Sequence, residues 1–350
     1  MRLFRFSEQA QSVKGTKRMK ITILGCGFGT ALSVLWDKGG HEITAWTKYP
    51  EEIAEIQRFG EHKRLLPGVP VSNRILFTTD ISCVKGADIV VFAIPSKFVR
   101  EVAQKVKGEI SPETVVLNVG KGFEEGSNKR LSQVLREELP HNRIAVMAGP
   151  CHAEEVGRGI PTTVVFASDD PGCAEFVQEN LQTATFRTYV NDDTAGCEIA
   201  AALKNPIALC CGIIEGMKLG DNTTASLMTR GLAEITRLGS ALGAKWETFT
   251  GLAGVGDLIV TCTSVHSRNH RAGILIGEGM SAADAVKTVG TVEGYICGKI
   301  AYELAKQHNV YVPIIEQLNR ICFEGIQPSE SLRALMDRPQ RHEKEPFWNE

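Results

Sequence analysis

The chain has 350 residues, 43% of them apolar, and a formal net charge of −2 at pH 7. That length is material for two domains with sizeable cores, and the balanced charge argues against a nucleic-acid partner. No apolar run approaches the roughly 20 residues that a membrane-crossing helix needs, which argues against membrane insertion. The ten cysteines are scattered without a C-x-x-C pair or a metal-ligand spacing, so no metal is expected. Thiols used this way suit a reducing cytoplasm, where they behave as small buried apolar groups.

Residues 1–18 are basic and polar, with neither an apolar stretch nor a small-residue cleavage site, so they do not read as a signal peptide. They read as a disordered extension before Met19. Lys20–Leu24 is then a short apolar strand that runs into Gly25-Cys26-Gly27-Phe28-Gly29. A helix follows, with Ala31, Leu32, Leu35 and Trp36 at helical spacing, ended by Gly39-Gly40; Glu42–Thr47 is a second strand. Strand, glycine loop, helix and strand within about thirty residues make a dinucleotide-binding unit. Unpaired amides at the start of such a helix hold a pyrophosphate, which makes Gly25, Gly27, Phe28 and Gly29 candidate cofactor residues. The spacing is G-x-G-x-G, one residue short of the usual fingerprint.

The residue ending the second strand ordinarily chooses the cofactor, an acid for NAD and a base for NADP. Here Trp46-Thr47-Lys48 has no carboxylate until Glu51, so Lys48 leans toward NADPH over NADH. Apolar strands continue at Asp88–Ile94, Thr114–Val119 and Arg143–Ala148, separated by helices near 97–107 and 127–138, with two more strands at 162–167 and 184–190. After Asn191-Asp192-Asp193-Thr194 the apolar spacing becomes helical throughout. The expected fold is therefore α/β, a doubly wound Rossmann-type domain over 19–193 followed by an all-helical domain over 194–340, with a loose tail over 341–350. Ligands in this layout bind outside the carboxyl ends of the strands, between the domains.

Several groups fall at such places. Asn118-Val119-Gly120-Lys121-Gly122 ends one strand, and Gly149-Pro150-Cys151-His152-Ala153 ends another and opens a short helix. Cys151 beside His152 suggests a nucleophilic pair, but adjacent side chains rarely face one another and nothing nearby orients the imidazole. Lys204 stands on an otherwise apolar helical face, where poor solvation lowers an ammonium pKa toward catalytic usefulness. Pro206, two residues on, removes a helix hydrogen bond. Thr250–Asn269 places Asp257, a fixed carboxylate, near Ser267, Arg268 and Asn269; a planar guanidinium suits a phosphate. Dinucleotide loop and phosphate constellation together read as a dehydrogenase of a small phosphorylated substrate.

The ordered set GTAL, LPG at 66–68, KG at 121–122, GPCHAEE at 149–155, LKN at 203–205, GLAGVGDLIVTCTS with SRN at 251–269, and VEG at 292–294 resembles the soluble bacterial NAD(P)-dependent glycerol-3-phosphate dehydrogenases. The resemblance spans about Lys20 to residue 335. It implies reversible reduction of dihydroxyacetone phosphate to sn-glycerol 3-phosphate for glycerophospholipid synthesis, by a cytoplasmic homodimer. It also implies Lys204 as proton donor and acceptor, with Lys121 and Asp257 supporting it at the carbonyl. Gly149, Cys151, Ser267, Arg268 and Asn269 would join them around the substrate. Lys48, Lys121, Ala153, Arg268 and Glu293 match positions that touch the cofactor. Three departures stand out: the short glycine loop, Cys151 where the family has Ser or Thr, and Pro206 in place of a β-branched residue. The alternatives weighed are a 3-hydroxyacyl-type dehydrogenase, which would need a catalytic histidine on the helix where Lys204 stands, and an NAD(P)-binding protein without turnover.

Overall fold

The structure, a computed structural model, describes residues 17–340 and 342–344. Residues 1–16 of the expected extension, and 341 and 345–350 of the expected tail, lie outside the described residues.

The first half alternates strand and helix: β1 (Lys20–Leu24), α1 (Phe28–Lys38), β2 (Glu42–Trp46), α2 (Pro50–Phe59), β3 (Leu76–Thr78), β4 (Ile89–Phe92), α3 (Val99–Val106), β5 (Val115–Asn118), α4 (Leu131–Glu138), β6 (Ile144–Ala148), α5 (Ala153–Arg158), β7 (Thr162–Ala167), α6 (Cys173–Leu181) and β8 (Phe186–Asn191). The strands form one sheet in the order β3-β2-β1-β4-β5-β6-β7-β8. Strands β4, β5 and β6 are buried along their whole length, because helices cover both faces of the sheet. One face packs under α1 and α6 around Trp36, Phe166 and Phe186; the other packs under α3 and α4 around Phe92, Val99 and Leu135. Trp36 is fully buried and satisfies its indole N–H on the Leu181 carbonyl at 3.0 Å.

The sheet is not parallel throughout, as the run of apolar strands suggested. β7 pairs antiparallel with β6, and β8 then pairs parallel with β7. A parallel return needs a crossover that carries the chain back along the whole length of the sheet. The link from β6 to β7 holds only the six-residue α5, about 9 Å of helix against roughly 16 Å of strand in β6, and β7 enters from the end at which β6 leaves.

Helices make up the rest: α7 (Thr194–Gly216), α8 (Asp221–Ala241), α9 (Trp246–Phe249), α10 (Asp257–Thr263), α11 (Arg268–Gly277), α12 (Ala282–Val289), α13 (Glu293–Gln307), α14 (Pro313–Phe323) and α15 (Pro328–Met336). Asp193 caps α7 by accepting the Gly196 amide at 2.8 Å. Contrary to the expectation from the sequence, α7 is long and apolar enough by composition to cross a membrane, with a mean hydropathy of 1.5 over its best window. That window is entirely buried inside the molecule, as befits the central helix of a bundle. Pro206 lies inside α7, which continues unbroken past it to Gly216.

Two contacts of α7 position the site. Gly212 and Gly216 face Gly273 and Gly277 of α11; a Cβ on Gly212 would lie 2.0 Å from the His270 carbonyl oxygen, and one on Gly273 would lie 2.1 Å from that of Leu209. Only glycines at all four places let the backbones approach so closely. Toward the sheet, the Glu198 carboxylate accepts the Ser132 amide and an Arg130 N–H, both at 2.8 Å, tying α7 to the start of α4.

Candidate active site

The glycine loop turns from β1 into α1. Gly25 has φ +109°, and a Cβ there would lie 2.5 Å from the Ala93 carbonyl oxygen, so no other residue fits. Gly27 has open space where its Cβ would be, and no side chain caps α1. The first amides of α1 thus remain available to an anion, with room for its approach. Gly29 packs the helix onto β1, since a Cβ there would meet Ile23 Cγ2 at 2.9 Å. In the longer fingerprint the third glycine has this task. Here it is met one residue earlier, so the missing residue leaves the turn intact, and the loop fits a dinucleotide pyrophosphate.

At the centre of the cleft, three charged groups from three places in the chain converge. Lys121 follows β5, Lys204 lies on α7, and Asp257 opens α10 after a π-type turn over Leu252–Gly256. That turn needs Gly254, where a Cβ would overlap the Phe249 carbonyl oxygen at 1.9 Å. Asp257 is 1% exposed and divides its carboxylate between the lysines: Oδ1 accepts from Lys204 Nζ at 2.6 Å and Oδ2 from Lys121 Nζ at 2.7 Å. Lys204 also donates to Thr261 Oγ1 at 2.5 Å, and Thr261 gives its own hydrogen to the Asp257 carbonyl at 2.6 Å. The Thr261 oxygen is therefore a committed acceptor that holds the Lys204 ammonium. Reading single residues missed Thr261; its spacing of four from Asp257 on one helix face was the available signal.

Burial pulls the Lys204 pKa down to about 8, with the Lys121 charge adding to the effect and Asp257 opposing it. Burial also acts against the Lys121 ammonium, but Asp257 and Cys151 outweigh it and hold that lysine above its ordinary value. Two lysines sharing one carboxylate thus differ in acidity, and Lys204 is the one able to exchange a proton near neutral pH.

Lys121 Nζ also donates to the Gly149 carbonyl at 2.9 Å and lies 3.5 Å from Cys151 Sγ. Gly149 has φ +114°. The Cys151 thiol donates back to the Gly149 carbonyl at 3.2 Å, and burial raises its pKa. His152 points elsewhere, with Nε2 3.5 Å from the Val260 carbonyl. Cysteine and histidine do not form a nucleophilic pair.

The close α7–α11 contact brings the Ser-Arg-Asn segment against Lys204-Asn205. Ser267 caps α11, accepting the His270 amide at 3.2 Å, so its own hydrogen stays free to donate. Asn269 donates to Asn205 Oδ1 at 2.9 Å and accepts the Gly294 amide at 2.9 Å, which leaves it one amide hydrogen. Arg268 has no ion-pair partner among the described residues; its charged neighbours are Glu293, Arg271 and Glu154, and desolvation lowers its pKa. Glu293, at the start of α13, accepts from Ser96 Oγ at 2.9 Å across the cleft. Burial raises its pKa.

Lys48 lies away from the central cluster, over the rings of Phe98 and Tyr49, and Ala153 begins α5. Phe28 opens α1 and packs on the first core. A dinucleotide is long enough to need residues this far apart. Among the described residues no group of His, Cys, Asp or Glu could hold a metal ion.

A Rossmann-ordered sheet with an open glycine loop, facing a helical domain that supplies a buried lysine of lowered pKa, defines a two-domain nicotinamide-dependent dehydrogenase. Comparison with known proteins narrows the class. Residues 20–174 match the N-terminal model of NAD-dependent glycerol-3-phosphate dehydrogenase and residues 193–333 match its C-terminal model, and the chain belongs to this family. It is 50% identical over 328 residues to glycerol-3-phosphate dehydrogenase [NAD(P)+] of Desulfitobacterium hafniense strain Y51, covering 93% of both chains. Its identity to the enzyme of that name from Moorella thermoacetica is 49%, covering 93% of this chain and 98% of the relative. The crystal structure of glycerol-3-phosphate dehydrogenase from Coxiella burnetii superposes with a TM-score of 0.87 at 35% identity, covering 92% of this chain and 99% of that one.

Proposed function

We propose that the protein reduces dihydroxyacetone phosphate to sn-glycerol 3-phosphate, reversibly and with NAD(P)H, and so supplies glycerophospholipid synthesis. The observation that carries this reading is Asp257 shared between Lys121 and Lys204, with the unpaired Arg268 on the adjoining helix. The reduced nicotinamide, when bound, supplies a hydrogen with its electron pair to the carbonyl carbon. As that C–H bond forms, negative charge builds on the carbonyl oxygen, and Lys204 gives it a proton. Lys121 keeps its proton, supplies fixed positive charge and positions the oxygen. Asp257 holds both ammonium groups in place and offsets their charge. Ser267, Arg268 and the remaining Asn269 hydrogen take the phosphate and neighbouring oxygens, while Gly149 and Cys151 line the substrate. In the reverse direction, Lys204 as free amine accepts the proton from the alcohol, which a pKa of about 8 permits.

Gly25, Gly27, Phe28 and Gly29 hold the pyrophosphate, and Lys48, Lys121, Ala153, Arg268 and Glu293 border the rest of the cofactor. The boundary between the dinucleotide domain and the helical substrate domain is set at 193/194, supported by the change from strands to helices there. Ten free cysteines support a cytoplasmic location, and the balanced charge supports the absence of nucleic-acid partners and membrane insertion. The family resemblance supports a homodimer.

The test is oxidation of NADPH and NADH in the presence of dihydroxyacetone phosphate or unphosphorylated dihydroxyacetone. Oxidation with the phosphorylated ketone alone is the expected result. Nucleotide binding without oxidation of either cofactor would leave a binding protein without turnover.

A further inference from the structure

The nucleotide end of the cleft carries more positive charge than the single lysine after β2. Lys97, in the turn after β4, approaches the same ring as Lys48: their ammonium nitrogens lie 4.9 Å and 4.5 Å from the Phe98 centroid. Both lysines are exposed, and neither has an ion-pair partner among the described residues. Three carboxylates of this region, Glu101, Glu293 and Glu52, are committed elsewhere. Glu101 accepts from Lys105 at 2.6 Å, and Glu293 accepts from Ser96. Glu52 could be taken for the ribose-binding acid of an NAD site. It is instead 5% exposed and accepts from Thr47 Oγ1 at 2.6 Å and Arg64 at 2.7 Å. Two cations beside one half-buried ring repel each other. An anion between them would relieve that repulsion. The turn bearing Lys97 is also held from the other domain, since Ser96 Oγ donates to Glu293 at 2.9 Å.

We propose that Lys97 joins Lys48 in a two-lysine clamp, set by Phe98, that takes the 2′-phosphate of NADPH and makes Lys97 a determinant of cofactor choice. The inference rests on the reading that the glycine loop holds a dinucleotide, and it extends the choice beyond the residue after β2. A phosphate monoester carries close to two negative charges at neutral pH, one for each ammonium. NADH would leave both lysines unneutralised.

The experiment measures calorimetric binding of adenosine 2′,5′-bisphosphate and adenosine 5′-monophosphate to the full chain, Lys97→Ala, Lys97→Arg and Lys48→Ala. The ratio of kcat/KM for NADPH to that for NADH is measured on the same proteins. The unaltered chain should bind the bisphosphate at least about tenfold more tightly than the monophosphate. Lys97→Ala should lower that preference, and the kinetic ratio, about tenfold, and Lys97→Arg should restore most of both; tenfold is the loss of one contact of about 1.4 kcal/mol. Equal binding of the two nucleotides by the unaltered chain would overturn the clamp. So would a Lys97→Ala variant that weakens both nucleotides by one common factor, as a structural defect would. If the bisphosphate is preferred but dihydroxyacetone phosphate is not reduced, the clamp stands and the substrate reading falls. If reduction proceeds with a ratio that Lys97→Ala does not move, the reverse holds.

Discussion

Asp257→Asn tests the charge arrangement directly. The amide keeps the volume and an acceptor oxygen but removes the one anion between the buried Lys204 ammonium and the partly buried Lys121 ammonium. Opposite charges about 4 Å apart attract by about 4 kcal/mol at an effective dielectric constant near 20. Each pH unit of acidity corresponds to about 1.36 kcal/mol. Even if water entry and the surviving Thr261 contact offset half of the loss, the acidity of Lys204 should move by more than one pH unit. The direction follows from which form works. Ketone reduction needs protonated Lys204, so the rate in the unaltered protein should fall as pH rises through about 8. Without Asp257 the ammonium is less favoured, it deprotonates at lower pH, and the falling limb moves acidward. The assay is the pH dependence of kcat for NADPH oxidation by dihydroxyacetone phosphate in both proteins, with circular dichroism to verify folding. A variant that retains turnover with its limb at the original pH would refute the coupling between Asp257 and Lys204.

Two further substitutions probe the phosphate end. Arg268→Ala should lose a charge-assisted contact of about 1.5–3 kcal/mol, lowering kcat/KM for dihydroxyacetone phosphate roughly 10- to 150-fold with a higher KM; an unchanged KM would remove Arg268 from phosphate recognition. Gly273→Ala places a methyl 2.1 Å from the Leu209 carbonyl oxygen, so α11 must move away from α7. Overpacking of this kind costs about 1–3 kcal/mol, and because the collision is with backbone the upper end is expected, read as a lower Tm together with a higher substrate KM. A Tm and KM like those of the unaltered chain would show that the helices have slack.

The framework of β1, α1 and β2 was legible because a buried strand, a glycine loop and an amphipathic helix each leave a local mark. The reversal of β7 was not, because an apolar strand reads alike in either direction and only the short α5 decides it. β3, three residues long, is too short to show a period. α2 carries a local signal of its own: Pro50 opens the helix, Glu51 and Glu52 fill its first turn and Gly60 ends it in the left-handed conformation. At the site, Lys204 was marked by its apolar neighbours, and Lys121 by its place after a strand. Their meeting at one carboxylate is a tertiary fact that no spacing encodes, and only the family motifs hinted at it. The Ser96–Glu293 contact joins residues 197 apart, beyond any local rule.

The contacts Asn205–Asn269, Asn269–Gly294 and Glu293–Ser96 form one continuous strut from the catalytic helix to the turn beneath the nucleotide. A ligand that shifts one end of this strut should be felt at the other. Thermodynamic linkage makes that influence reciprocal: the factor by which bound nucleotide changes affinity for the phosphorylated ketone must equal the factor by which the ketone changes affinity for nucleotide. Shortening any one of these side chains should therefore weaken the coupling between the two ligands in both directions at once.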